Sequence, residues 1–168
     1  FYLYLVMDVF SRKIVGWQIH EQELSELSAD LILDIAQREG IDRDQVYLHS
    51  DNGGPMKGAT MLARLKKLGI TPSFSRPSVS NDNPYSESLF KTLKYCPVYP
   101  KDGFAQILDA RQWMLKFEHW YNHEHHHSSI KYVTPHQRHT GQDKLILMQR
   151  KSLFEQAKKS TPCIIFID

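Results

Sequence analysis

A chain of 168 residues with 41% hydrophobic content can build one domain-sized core without disulfides or metal staples. A net charge of +2 with histidine neutral does not by itself mark a nucleic-acid binder, and no run approaches the roughly 18 consecutive apolar residues of a membrane span. Cys96 and Cys163 are too few and too far apart for a zinc knuckle or disulfide framework; with no leader-like start, they read as free thiols in a reducing cytoplasm.

Phe1 to Val9 reads FYLYLVMDV and Lys13 to His20 reads KIVGWQIH, and both predict β-strands, antiparallel around a polar turn at Ser11 and Arg12. Ser28 is placed to cap a helix from about Ala29 to Glu39 that buries Leu31, Leu33, Ile35 and Ala36 and stops at Gly40. Val46 to His49 predicts a short strand, Ser50 to Lys57 a polar loop, Ala59 to Leu68 a helix ending at Gly69, and Ile70 to Phe74 a further strand. Arg76 to Asn83, RPSVSNDN, is turn-rich and predicts a mobile loop. The helix after it has Asn83 as its expected cap, Pro84 in its first turn and Glu87 early, where the macrodipole favours a carboxylate; Pro97 and Pro100 end it. A long helix from Phe104 to about Asn122 has Ile107, Leu108, Trp113, Leu115, Phe117 and Trp120 to bury, and a last helix runs from Lys144 to Lys159.

Two segments carry chemistry. HSDNG, His49 to Gly53, ends a strand with a carboxylate and follows it with residues that permit a tight turn, so Asp51 projects from a sheet edge. In NPYSESLFKTLK, Asn83 to Lys94, the spacing of Glu87, Lys91 and Lys94 puts all three on one helix face, with Leu89 and Leu93 on the other. Thirty-five residues separate Asp51 from Glu87. His49, two residues before Asp51, points to the same side, either as a neighbour that tunes the site or by plain strand register. Basic residues also gather at Arg64, Lys66 and Lys67, where solvated helix surface is the plainer reading. His123, His125, His126 and His127 invite a zinc site, His123 and His127 at helical spacing, but no cysteine or acid pair completes one, so a solvated helix end is expected. Trp113, Trp120 and Tyr121 read as core rather than as base-stacking platforms.

The ordered set YLVMDVFSRKIVGW, HSDNGGPMKG, SRPSVSNDNPYSESLFKTLK and the tail from Trp120 to Pro135 resembles the catalytic core of insertion-sequence transposases and retroviral integrases, the DDE superfamily. The resemblance implies an α/β, ribonuclease-H-like fold, a mixed sheet flanked by helices, with residues 1–135 as the core and 136–168 as a helical tail. It implies metal-dependent cleavage and strand transfer of DNA, with Asp51 and Glu87 as catalytic acids binding two Mg2+ or Mn2+ ions, and with Lys91, Lys94 and Asn83 as DNA contacts. Two such ions, about 3.5–4 Å apart, stabilise the attacking and leaving oxygens of an in-line displacement, and hard cations take carboxylate oxygens. The implied partners are double-stranded DNA, at element ends and target, and further copies of the chain, in a bacterial, nucleoid-associated setting.

The same resemblance places a first aspartate on a strand before the one that starts at Phe1, so these residues are expected to be N-terminally truncated, to carry two of three acids and to be catalytically silent alone. Asp8 matches an acidic position at a hairpin end, where a structural role is expected. Relatives show arginine where His126 stands, and the ending CIIFID departs from the usual tail. The alternatives are a remnant that binds DNA or multimerises without turnover, and a ribonuclease-H-type nuclease, against which the HSDNG and SRPSVSNDNPYSE segments argue.

Overall fold

The computed structural model describes residues 1–76 and 82–160. Most of the loop expected from Arg76 to Asn83, together with Cys163 and the CIIFID ending, lies outside them.

Strands β1 (Tyr2–Met7) and β2 (Ile14–His20) form the expected antiparallel hairpin, in register from Tyr2 opposite His20 to Val6 opposite Gly16, with a bulge before Met7 meets Ile14. Asp8 shapes the connection. Its carboxylate accepts hydrogen bonds from the Phe10 and Ser11 amides at 3.1 and 3.2 Å and from the Ser11 hydroxyl at 2.5 Å. Burial pushes this carboxyl up, but the Ser11, Phe10 and His139 hydrogen bonds prevail and hold it below the usual range. The structural role expected of Asp8 is therefore the observed one.

Side-chain alternation gives the hairpin two apolar faces. Tyr4, Val6 and Val15 turn toward α1 (Ser25–Arg38) and α3 (Ala59–Leu68), packing with Leu31, Ile32, Ile35, Met61 and Leu65. Leu3, Leu5, Met7, Ile14, Trp17 and Ile19 turn the other way, toward α4 (Pro84–Lys94) and α5 (Ile107–His123), packing with Leu89, Leu93, Met114, Phe117 and Tyr121. Gly16 permits the first layer to close: a Cβ there would lie 2.5 Å from Ile35 Cδ1.

The second strand pair, β3 (Tyr47–Ser50) and β4 (Thr71–Phe74), is parallel, joined through α2 (Gly54–Lys57) and α3. Leu48 and Ile70 bring this pair into the α1–α3 core. The mixed sheet thus exists as two hydrogen-bonded pairs, β1–β2 and β3–β4, each with unpaired outer edges among the described residues. After α5 come a 3₁₀ turn (Ser128–Ile130), α6 (Pro135–His139) and α7 (Asp143–Ser160). A reciprocal capping box starts α6: Thr134 Oγ1 accepts from the Gln137 amide and Gln137 Oε1 from the Thr134 amide. His139 then ties α6 to the hairpin and to α1, through Asp8 at 3.3 Å and Glu39 at 3.0 Å.

Several expectations need correction. Ser28 lies inside α1, its hydroxyl bonded to the Ser25 carbonyl, because the helix starts a turn earlier than the capping signal suggests. Part of the loop expected over Ser50 to Lys57 is the short helix α2, which Pro55 can enter at its first turn. In α5, Leu108 and Leu115 are exposed, each at 60%, while Ala110, Met114 and Tyr121 are buried. The helix begins near Ile107 rather than Phe104, and its buried stripe is offset from the one the largest apolar residues suggest.

Candidate active site

Asp51 immediately follows β3, and the turn after it is closed by its own side chain, whose Oδ1 accepts the Gly53 amide at 3.0 Å. Glycine suits this approach, since a Cβ at position 53 would stand 3.0 Å from the same oxygen. Asn52 fastens the turn to the end of β4 by donating from Nδ2 to the Ser75 carbonyl at 2.9 Å.

Glu87 rises from the first turn of α4, where its backbone amide donates to the Asn83 carbonyl at 3.2 Å. The expected Asn83 cap is not made: its backbone sits at φ −128° and ψ 47°, and its side chain bonds to no helix amide. Asn83 instead lines the same open cleft as Asp51, Glu87, Lys91 and Lys94, a space of about 880 Å³ that also takes in Asn52, Ser75, Arg76 and Tyr95. The structure therefore brings together all five residues singled out in sequence. Glu87, Lys91 and Lys94 are exposed, and none has a side-chain hydrogen bond or ion pair among the described residues. The cleft is thus an acidic pair with a cationic flank.

The donor chemistry fits a hard divalent cation in part. Two carboxylates offer oxygens, while among the described residues no group of three or more His, Cys, Asp or Glu side chains is arranged to hold a metal ion. In the histidine cluster, α5 ends at His123, so His127 lies past the helix and helical spacing no longer relates them. The His123 ring stacks on His119 at 4.9 Å and meets His136 at a tilt, 4.4 Å between centroids. Burial, with lesser repulsion from neighbouring cations, lowers the pKa of His125, His127 and His136.

Two residues next to the acids, Arg76 and Asp82, escape the sequence reading, and the contacts of His49 match neither of its expected readings. His49 neither points idly from its strand nor touches Asp51: Nε2 meets the Asp82 carbonyl and Nδ1 the Ser73 hydroxyl, both at 3.0 Å. Arg76 forms a two-pronged ion pair with Asp82, Nε to Oδ2 at 3.0 Å and Nη2 to Oδ1 at 2.9 Å. The available signal is that two opposite charges bracket the Ser/Asn-rich stretch.

Two family models, each described as an integrase core domain, match the chain, one over residues 1–80 and the other over 68–135. The transposase for insertion sequence element IS904 of Lactococcus lactis is 32% identical over 135 residues, which are 80% of this chain and 53% of that protein. A putative transposase for IS986/IS6110 of Mycobacterium tuberculosis is 27% identical over 130 residues, 73% of this chain and 45% of its own. The chain spans about half the length of these curated relatives. Among solved structures, the catalytic core domain of BIV integrase superposes with a TM-score of 0.61 at 20% identity, covering 86% of this chain and 89% of that one. A chain of the simian T-cell lymphotropic virus intasome gives 0.60 at 17% identity, over 82% and 47%. These two likenesses establish the ribonuclease-H-like fold. Among the described residues no helix is long and apolar enough to cross a membrane.

Proposed function

The chain belongs to the integrase core-domain family, and from that premise we propose that residues 1–135 are the catalytic core of a DNA transposase or integrase, with 136–168 a helical tail. The observation that carries this reading is the convergence of Asp51 and Glu87, from elements far apart in the chain, on one cleft that also holds Lys91 and Lys94. The relatives' names describe transposases of insertion sequences, and a structural neighbour is an intasome, so the proposed setting is a multimer of this chain on double-stranded DNA within the bacterial nucleoid.

Asp51 and Glu87 would hold Mg2+ or Mn2+, and bound ions of this kind supply charge stabilisation to the attacking and leaving oxygens of phosphodiester exchange. The side chains of this chain set the rest. The Gly53 amide keeps one carboxylate oxygen of Asp51 engaged at the cleft that the residue lines. Lys91 and Lys94 receive backbone phosphates on the face of α4 that bears Glu87, and Asn83 offers an amide at the helix entrance; such contacts position DNA without reading its bases.

Two carboxylates are a thin ligand set for a hard cation, whose affinity follows ligand charge and number. The 168 residues tested alone are therefore proposed to bind DNA without turnover. The edges of β1 and β3 left unpaired among the described residues suit a further strand, and an aspartate on such a strand would supply the third acid. Adding an N-terminal strand that bears an aspartate should give Mg2+-dependent strand transfer on labelled oligonucleotides, abolished by Asp51→Ala or Glu87→Ala. Robust strand transfer by the 168 residues alone would overturn the need for that third acid. Strand transfer by the extended protein that survives both substitutions would overturn the site.

A further inference from the structure

Resting on the two-acid reading, we propose that His49, Asp82 and Arg76 are positioning residues: they form a strut across the cleft that sets the separation of Asp51 from Glu87.

The need for a strut follows from the packing. Asp51 hangs from β3, which is anchored through Leu48 to the core of α1 and α3. Glu87 rides on α4, which is anchored through Leu89 and Leu93 to the core of α5 and the opposite face of the hairpin. The two acids thus belong to separately packed layers. The entrance of α4 lacks the side-chain cap that would stiffen it. Its first turn is gripped from the hairpin side, where the Arg12 guanidinium lies 3.8 Å from the Tyr85 ring centroid; that contact leaves the distance to β3 unset.

His49 and Asp82 bridge that distance. His49 stands on β3 two residues before Asp51, and Asp82 immediately precedes Asn83 at the start of α4. A carbonyl oxygen only accepts, so His49 Nε2 donates in the 3.0 Å contact, while Nδ1 meets the Ser73 hydroxyl on β4. The carboxylate of Asp82 is taken from the other side by Arg76, through the backbone amide at 2.8 Å and through two guanidinium nitrogens. One residue is thereby pinned to β3 by its main chain and to the exit of β4 by its side chain. The Arg76 pairing holds the Asp82 carboxyl down at about 2, so the ion pair persists through any neutral assay.

The Arg76 side chain is 74% exposed. The Asp82 side chain is only 17% exposed, but with one partner so open to water the pair contributes little to global stability, and the value of its forked geometry lies in orientation. Loss of a group that orients a metal ligand costs about 10–100-fold in metal affinity. The test is a Mn2+ titration of the full chain by electron paramagnetic resonance, with urea denaturation of every variant. Glu87→Gln should abolish specific Mn2+ binding. His49→Ala and Arg76→Asp should each weaken it by about 10–100-fold at an unchanged urea midpoint, and the charge-swapped pair Arg76→Asp with Asp82→Arg should restore most of the loss. If Glu87→Gln leaves Mn2+ binding as it was, the two-acid reading fails and the strut with it. If Glu87→Gln abolishes binding while His49→Ala and Arg76→Asp bind as the parent does, the reading stands and the strut is overturned. A weakening that tracks a fallen urea midpoint and resists the charge swap would reduce these residues to fold support, and that also overturns the proposal.

Discussion

Replacing Asn122 with alanine is expected to cost a large share of the stability of this fold. The side chain is wholly buried near the end of α5, where its Nδ2 donates to the Ile14 carbonyl at 3.0 Å and its Oδ1 accepts the Ile14 amide at 2.9 Å. One side-chain amide thus does for Ile14 what a neighbouring strand would do. Ile14 is itself only 2% exposed, so in Asn122→Ala both backbone groups lose their partner where water does not easily replace it. Each orphaned group costs about 1–3 kcal/mol, which gives about 2–6 kcal/mol for the pair. Against a total of roughly 5–15 kcal/mol for an ordinary domain, this would bring the weaker end of that range to the edge of unfolding. The assay is urea denaturation followed by circular dichroism, comparing midpoints at a common slope. Glu118→Ala is the control. It removes the 2.6 Å bond from Asn122 Nδ2 to Glu118 Oε1 but keeps both bonds to Ile14, and should cost about 1 kcal/mol or less. Asn122→Asp should be worse than alanine, because it sets a carboxylate oxygen against the Ile14 carbonyl. A shift for Asn122→Ala no larger than that of Glu118→Ala would refute the reasoning.

Three further expectations follow from the same structure. Lys91→Ala with Lys94→Ala should reduce the slope of log affinity against log salt for duplex DNA by about 1.8, at roughly 0.9 per phosphate contact, and an unchanged slope would make both lysines solvated surface. His125, His127 and His136 have folded pKa values below their ordinary 6.5, so the unfolded chain binds more protons as pH falls through that value; stability should be full above about pH 6.5 and decline below it, and a urea midpoint flat from pH 7.5 to 5 would contradict this. Gly16→Ala should destabilise by about 1–3 kcal/mol by overpacking against Ile35, and the penalty should shrink when Ile35 is shortened to alanine in the same protein; additive losses would show that the clash is relieved elsewhere.

The hairpin, α3 and α4 were legible in sequence because local signals and burial agree there: alternation in β1 and β2, Gly69 at φ 70° ending α3, Leu89 and Leu93 opposite Glu87. The cleft was legible for the same reason, since a strand-ending carboxylate and one helix face can be read without knowing how they meet. What the pattern hid depends on contacts between distant residues. Asn122 looks like any polar residue at a helix end until Ile14, 108 positions away, is seen to need its amide. Arg76 and Asp82 are charged residues in a turn-rich stretch, and only His49 on another strand gives their pairing a direction. Leu108 and Leu115 misled in the opposite sense: hydrophobicity marked them as core, yet the face of α5 set by Ala110, Met114 and Phe117 turns them outward.

The shared hairpin also bears on the order in which the molecule assembles. Its strands are near neighbours in sequence and such pairs close in about 1–10 μs, whereas the bonds from α5 to Ile14 wait for a loop of about a hundred residues to be drawn in. Each helical layer needs the hairpin as its floor, and neither needs the other. Substitutions in β1 or β2 should therefore slow folding as a whole, while trimming Met114 or Phe117 should mainly hasten unfolding, a difference that the two arms of a chevron plot separate. A floor used from both sides also tolerates no slip: a shift by one residue would hand Leu3, Leu5 and Met7 to the wrong layer, and both cores would be lost in one step.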